Sequence, residues 1–406
     1  MVPGLISDAL AGARVASVPD DGDPMRVAFR DAAERWLAAP PAAAAGAAVA
    51  AARLMSLRAN EPPWQGTGIG IEAGQAYSLF AAGRVQWSPR APTLYGGPRY
   101  HLWARVSPGG RIVNPTCESG TFVADVAGEI ELGIYMGVWR NELGELATPE
   151  SLYRRLTGGL EVLVLAWRRE PVAALAALVA ADAADAAKDR ATVDATGSSL
   201  TVVPAIFGAE LERLRKASAP PAEWRYLLDT GHADIFVDAL GPTGEPAIAV
   251  HTHDDQGIVC KPVDFALTPT TRLRWRWRVS EQPSALAENL PQTHDYVSIA
   301  AEFDNGRDLT WIWSSQLAPG THFPCPVGAW SARETHWVAR SGVGDLGRWC
   351  TEERKVYDDV LAAMGQPPSR IVRIWLIAVS SFQHGTARAE FADIVLDDGA
   401  LVVRVL

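Results

Sequence analysis

Histidines and carboxylates crowd a few short stretches of this sequence. In HTHDDQG (251–257), strand alternation puts His251 and His253 on one face, with Asp254 and Asp255 at the end. Imidazole titrates near neutrality, so either histidine suits proton transfer. As a metal pair they need a third protein ligand from elsewhere, and His294, Asp295 or His384 are of the right type. His294-Asp295-Tyr296 opens a further strand, where the aspartate can orient a neighbouring ring or accept from backbone amides. His384 sits in the polar segment SSFQHG (380–385). The expected catalytic set is His251, His253, His294, Asp295 and His384, with no metal among the expected cofactors.

Ligand-holding groups are expected nearby. LTWIWSSQ (309–316) gives Trp311, Trp313 and Ser315 one face, and aromatic faces either stack on sugar rings and polycycles or fill cores. Ser314 and Ser315 lack a G-x-S-x-G elbow, which argues against a serine hydrolase. RWCTEERKVYDD (348–359) reads as the start of a helix over 351–365, stopped by Gly365. On such a helix Glu353 and Tyr357 share a face at i, i+4. They could act as acid and base, or pair with the arginines of LRWRWRV (273–279). That run has period two: Leu273, Trp275, Trp277 and Val279 on one side, Arg274, Arg276 and Arg278 on the other. Same-face arginines stand about 7 Å apart and make one positive stripe. Either the stripe meets the carboxylates of 352–359 or it lines a cleft for an anionic or polyhydroxylated ligand. The expected substrate-binding set is Arg274, Arg276, Arg278, Trp311, Trp313, Ser315, Glu353 and Tyr357.

Elements must position these groups. The 406 residues suffice for two or three domains. Residues 1–63 read as a helical segment, with an alanine run continuing helix to about Arg58. Residues 64–146 have short apolar runs and frequent glycine, the pattern of a β-sandwich. Residues 147–223 read as a helical connector, and 224–406 as a second sandwich. The second holds seven of the eight histidines and nine of the fifteen tryptophans, which makes it the place to expect chemistry. The fold class expected is mainly β, with two jelly-roll-like sandwiches.

Composition narrows the function. A net charge of −10 disfavours a general nucleic-acid binder, which needs surplus clustered cations. The four cysteines fit neither a zinc knuckle nor a disulfide scaffold. No signal peptide or membrane span is read, so a cytoplasmic location is expected. No G-x-G-x-x-G follows a strand and no P-loop is present, so no nucleotide cofactor is expected.

Two resemblances add to this. Trp64, Thr67-Gly68-Ile69, Gly74, Ala81-Ala82-Gly83, Gly96-Gly97-Pro98, Gly120-Thr121-Phe122 and Gly128-Glu129-Ile130-Glu131-Leu132 leading to Tyr135 carry the first. Residues 64–146 resemble the bacterial galactophilic calcium-dependent lectin family, which implies a jelly-roll-like domain. That family's calcium loop begins with Asn-Asp, where this chain has Met136-Gly137, with only Asn141 and Glu142 as nearby oxygen donors. Calcium wants about six to eight oxygens, so calcium is not expected to be retained. The second rests on Leu273–Trp277, Asp295-Tyr296, Phe303-Asp304, Trp313-Ser314-Ser315, Val338–Gly342, Gly347-Arg348-Trp349, Glu352-Glu353-Arg354, Val356–Asp359 and Ala392-Asp393-Ile394. By these, residues 225–400 resemble a bacterial family of unknown function, which implies a sandwich like a carbohydrate-binding module.

The leading expectation is a cofactor-independent acid/base enzyme of lyase, cyclase or hydrolase type. Its substrate would be small, polyhydroxylated or polycyclic, and bound in the C-terminal sandwich. The alternatives are a non-catalytic carbohydrate-binding protein and an assembly scaffold. Expected partners are a small molecule or glycan and a second copy of the chain, with no nucleic acid and no membrane.

Overall fold

The computed structural model describes residues 23–38, 48–88, 95–115, 117–135, 143–146, 149–189, 202–216, 219–227, 235–327 and 330–406. The chain divides into two compact units, Met1–Lys216 and Ala217–Leu406. Both are built on largely antiparallel sheets, with one parallel pair, Asp308–Ser314 beside Glu334–Ser341, so the protein is mainly β, as the sequence leads one to expect. Among the described residues no helix is long and apolar enough to cross a membrane.

In the N-terminal unit one sheet runs Val49–Arg58, Thr157–Trp167, Ala76–Gln86, Tyr95–Gly96, with Ser119–Val123 also paired to Ala76–Gln86. The other runs Gln65–Ile71, Gly128–Ile134, Leu102–Ser107. The strand TGGLEVLVLAW is buried on both faces. Leu160, Val162 and Val164 enter the core between the sheets. Leu163, Leu165 and Trp167 lie under three helices, Pro24–Ala38, Pro171–Asp189 and Val202–Lys216, against Phe29, Trp36, Leu175 and Phe207. A strand covered on both sides must be apolar at nearly every position. Its exception, Glu161, is fully buried and accepts from Arg26 Nε at 2.9 Å and Ser56 Oγ at 2.6 Å.

Two expectations are corrected here. Residues 49–58 are a strand, not the end of an alanine-rich helix. Helix propensity is a weak preference, and pairing with Thr157–Trp167 along the whole strand overrides it. The stretch 147–223 is not purely helical, since it supplies Thr157–Trp167 to the middle of the five-stranded sheet. Met136, Gly137, Asn141 and Glu142 lie outside the described residues.

The C-terminal unit is a sandwich of a seven-stranded and a six-stranded sheet. The seven-stranded sheet runs His322–Pro324, Glu334–Ser341, Asp308–Ser314, Tyr296–Phe303, Arg370–Val379, Gln256–Ala266, Arg225–Tyr226. The six-stranded sheet runs Phe236–Leu240, Pro246–His253, Thr386–Asp397, Arg272–Glu281, Cys350–Lys355, with Val402–Arg404 on Thr386–Asp397. LRWRWRV is thus an interior strand, flanked on both sides. Its tryptophans meet those of the opposite sheet: Trp275 lies 6.0 Å from Trp311 and Trp277 lies 5.3 Å from Trp313, between ring centroids. All four are buried.

The expected helix over 351–365 is also corrected. Cys350–Lys355 is a strand and the helix begins only at Val356, running to Met364. Glu353 and Tyr357 therefore do not share a helical face. The edge of the arginine strand offers hydrogen bonds that the glutamates' helix preference does not outweigh. Gly365 ends the helix with φ 83°, as its residue type suggests.

Candidate functional site: the arginine face and the adjoining end of the C-terminal sandwich

Alternation turns the arginines of 272–279 away from the core, onto the outer face of the six-stranded sheet. Each meets a carboxylate. Arg272 pairs with Glu353. Arg274 reaches Asp397 at 2.9 Å, and Arg276 reaches Glu245 at 3.0 Å and Asp393 at 3.1 Å. Arg278 pairs with Glu390. The partners come mainly from the neighbouring Thr386–Asp397 strand, and only Glu353 comes from 352–359. Arg276 and Arg278 also lie over the half-buried ring of Trp349, at 5.2 and 5.8 Å from its centroid. Such cation–π contacts brace a guanidinium without neutralising it.

Two cross-strand rows continue this face. One holds Ala249, Glu390 and Arg278, and the next holds His251, Arg388 and Glu281. Between them lies an open depression of about 220 Å³, lined by His251, Arg278, Ser280, Arg388 and Glu390. Arg388 donates to Glu281 at 3.2 Å. Burial lowers the His251 pKa, and the Arg388 charge and His253 lower it further. The neutral imidazole is thereby favoured, with one donor and one acceptor nitrogen.

The same pair of strands ends in a turn that gathers more polar groups. His253 meets Thr386 Oγ1 at 2.7 Å through Nδ1. Beyond it, His384 Nδ1 and Asp254 Oδ1 are 2.6 Å apart. Both residues are left-handed, with φ of 55° and 51°, a conformation uncommon outside glycine that aspartate and histidine adopt more readily than most. Next to them, Gly385 has no room for a side chain, since a Cβ there would meet Pro283 O at 1.9 Å. Asp295 anchors the turn by accepting from the backbone N–H groups of Phe382 and Gln383 at 3.0 and 2.6 Å. Burial pushes its carboxyl up to about 6, although both N–H groups favour the anion.

The hydrogen bond to Asp254 raises the His384 pKa above the ordinary histidine value of 6.5, against the opposing effect of burial. The stability the pair contributes is present in full below that value and is lost as pH rises through the folded-state pKa. In Asp254→Asn the His384 midpoint, followed by NMR of the ring nitrogens, is expected to fall. Identical midpoints in the two proteins would show that the pair is not formed.

A third group lies in the interior of the seven-stranded sheet. His294, Cys325, Glu334 and His336 are all buried, and one ligand atom of each lies within 4.8 Å of the others. His294 Nδ1 donates to Glu288 O at 2.7 Å, which leaves its Nε2 as an acceptor 3.4 Å from Cys325 Sγ. Burial lowers the His294 pKa to about 3, so its ring is neutral. Glu334 Oε1 stands 3.5 Å from His336 Nε2 and accepts from Tyr296 Oη at 3.2 Å.

The expected site residues therefore separate. His251 and His253 share the outer face, and His384 and Asp295 meet at its end. His294 is enclosed in the interior. Arg274, Arg276 and Arg278 line the outer face. Trp311 and Trp313 are core residues whose indole N–H groups go to Asp359 Oδ2 and Gly342 O, so they offer no open face to a ligand. Ser315 lies just past the strand, where its N–H donates to Glu288 Oε1 and its Oγ to Ser284 O. Glu353 is exposed, and Tyr357 packs half-buried on the core. Cys325, Glu334 and His336 were not anticipated. Their one local signal is Glu334-Thr335-His336, which puts a carboxylate and an imidazole on one strand face.

A family model described as a protein of unknown function (DUF3047) matches residues 237–395, within the stretch expected to resemble such a family. No curated protein matches the chain. Among solved structures, the chain is similar to an EclA N-terminal domain, a PllA-like lectin, at 15% identity and TM-score 0.22, over 28% of this chain and 94% of that one. It is similar to the xyloglucanase domain of NopAA, a type three effector from Sinorhizobium fredii, at 9% identity and TM-score 0.27, over 43% and 92%. It is similar also to the family 30 carbohydrate-binding module of the cellulase Cel9D-Cel44B of Clostridium thermocellum, at 12% identity and TM-score 0.25, over 44% and 88%.

Proposed function

We propose that the C-terminal unit is a non-catalytic module that binds a polyhydroxylated, saccharide-like ligand on the outer face of its six-stranded sheet. The observation that carries this reading is the depression between the two cross-strand rows. There Arg278, Arg388, Glu390, Ser280 and His251 converge beside guanidinium groups braced on Trp349. A sugar hydroxyl both donates and accepts. Paired guanidinium and carboxylate groups supply the complementary acceptors and donors in fixed positions, and charge-assisted hydrogen bonds are the stronger kind. Because the ions are already paired, little ordering is left for the ligand to impose.

The test is a panel of immobilised saccharides probed with the full chain. Arg278→Ala is expected to weaken the best binding at least about tenfold, as befits losing a hydrogen bond to a charged group worth about 1.5–3 kcal/mol. Binding unchanged by Arg278→Ala would place the ligand elsewhere.

A second reading draws on the left-handed His384–Asp254 pair at the end of that face. An imidazole held by a carboxylate can take and return a proton, which suits an acid/base enzyme of lyase, cyclase or hydrolase type. The same panel separates the readings: a ligand recovered chemically unchanged supports binding, and a converted ligand supports catalysis.

A further inference from the structure

We propose that His294, Cys325, Glu334 and His336 bind a divalent transition-metal ion of the zinc type, in a closed structural site beneath the 380–385 turn. The donors come from three places in the sequence. His294 follows the short 3-10 helix Pro291–Thr293, Cys325 follows the His322–Pro324 strand, and Glu334 and His336 open the Glu334–Ser341 strand. They form a set that zinc takes readily: thiolate sulfur, two imidazole nitrogens and a carboxylate oxygen.

Two of the donor separations already match a tetrahedron, and all four donors lie within 4.8 Å of one another. With metal–ligand distances of about 2.0–2.3 Å, the edges of a tetrahedral site are roughly 3.3–3.8 Å. The His294 Nε2–Cys325 Sγ and His336 Nε2–Glu334 Oε1 separations are 3.4 and 3.5 Å. The charges fit as well, since one thiolate and one carboxylate balance a divalent cation and leave the ion with its four ligands neutral.

Hydrogen bonding alone does not account for the cluster. His336 is fully buried, yet its Nδ1 has no hydrogen-bond partner and its Nε2 has only the long 3.5 Å contact with Glu334 Oε1. Buried polar atoms are rarely left in that state, and a metal would satisfy Nε2 directly. Supporting contacts are already in place. The His294 ring is fixed by the Nδ1–H bond to Glu288 O, the arrangement that orients metal-bound histidines. The Glu288 side chain is fixed in turn by Ser314 Oγ and Ser315 N–H. Phe323 stacks on His336 with ring centroids 5.3 Å apart, and Phe382 lies edge-on to His294 at 6.2 Å. All four ligand residues are buried, and structural zinc sites are closed in this way whereas catalytic ones keep a position open.

The full chain, purified without chelator, is expected to carry about one zinc ion by elemental analysis, to lose it in strong chelator, and to take it back from added zinc. Loaded with cobalt instead, it should show a thiolate-to-cobalt charge-transfer band with the intense visible bands of tetrahedral geometry. Cys325→Ala and His336→Ala should lose the metal, while Cys350→Ser keeps it. If the variants fail to fold, the wild-type metal content and cobalt spectrum still decide the matter. A folded wild-type chain that takes up neither ion, or a cobalt spectrum without thiolate ligation, overturns the proposal. So does full metal content in folded Cys325→Ala.

Discussion

Trp277→Ala is expected to destabilise the C-terminal unit by about 3–5 kcal/mol, the range for removing a large aromatic side chain from a core. Trp277 is fully buried, with Trp275 at 5.6 Å, Trp313 at 5.3 Å and Phe391 at 6.0 Å between ring centroids. Alanine would leave a cavity that three rigid rings cannot collapse to fill. Its indole N–H also donates to Glu352 Oε1 at 3.2 Å, an oxygen that Arg340 Nε contacts at 2.8 Å. The substitution therefore disturbs an ion pair at the sandwich edge as well as the core. Trp277→Phe keeps most of the volume and should cost less. Urea unfolding of the full chain, followed by circular dichroism and tryptophan emission, measures both. The two units can unfold separately, so the loss should be read from the transition that Trp277→Ala shifts. A cost below about 1 kcal/mol, typical of surface sites, would contradict the interior placement of this strand.

Glu161→Ala is expected to be comparably damaging in the N-terminal unit, at about 3–5 kcal/mol. Glu161 lies between the five-stranded sheet and the Pro24–Ala38 helix, with its side chain fully buried and that of Arg26 only 7% exposed. Alanine removes the carboxylate against which a guanidinium has been taken out of water, and Ser56 Oγ loses its acceptor. Replacing both charges should behave differently. A buried ion pair exchanged for packed apolar side chains is often neutral or stabilising, so Arg26→Met with Glu161→Met should recover much of the loss. Unfolding free energies of the single and double variants give the coupling. Additive losses with no recovery would mean that the two charges act independently.

Both positions show what the sequence makes legible. The Arg272–Glu281 strand is readable because from 272 to 279 its two faces differ in residue type at every step, and period two has no helical counterpart. Glu161 is not readable. A lone glutamate in an apolar run looks like a strand end or a helix surface until Arg26, far off in sequence, is brought to it. Val49–Arg58 and Cys350–Lys355 mislead for a related reason. Alanine and glutamate favour helix locally, but sheet edges elsewhere in the chain claim these segments.

The same logic divides the sites. His251 and His253 lie on one strand, so their shared face follows from spacing alone. Their proximity to Arg278 and Arg388 depends on register with two further strands, which one sequence does not fix. The buried cluster draws on donors from three separate segments, and only Glu334 and His336 are neighbours in the chain.

The outer face of the six-stranded sheet is the heart of the functional account. Its most direct test is equilibrium titration of the full chain, and of Arg278→Ala beside it, with the saccharide that the panel retains best. The expected result is saturable binding to wild type, at least about tenfold weaker in the variant, with the ligand recovered intact. A chain that retains no saccharide, or equal affinity in the two proteins, would contradict it.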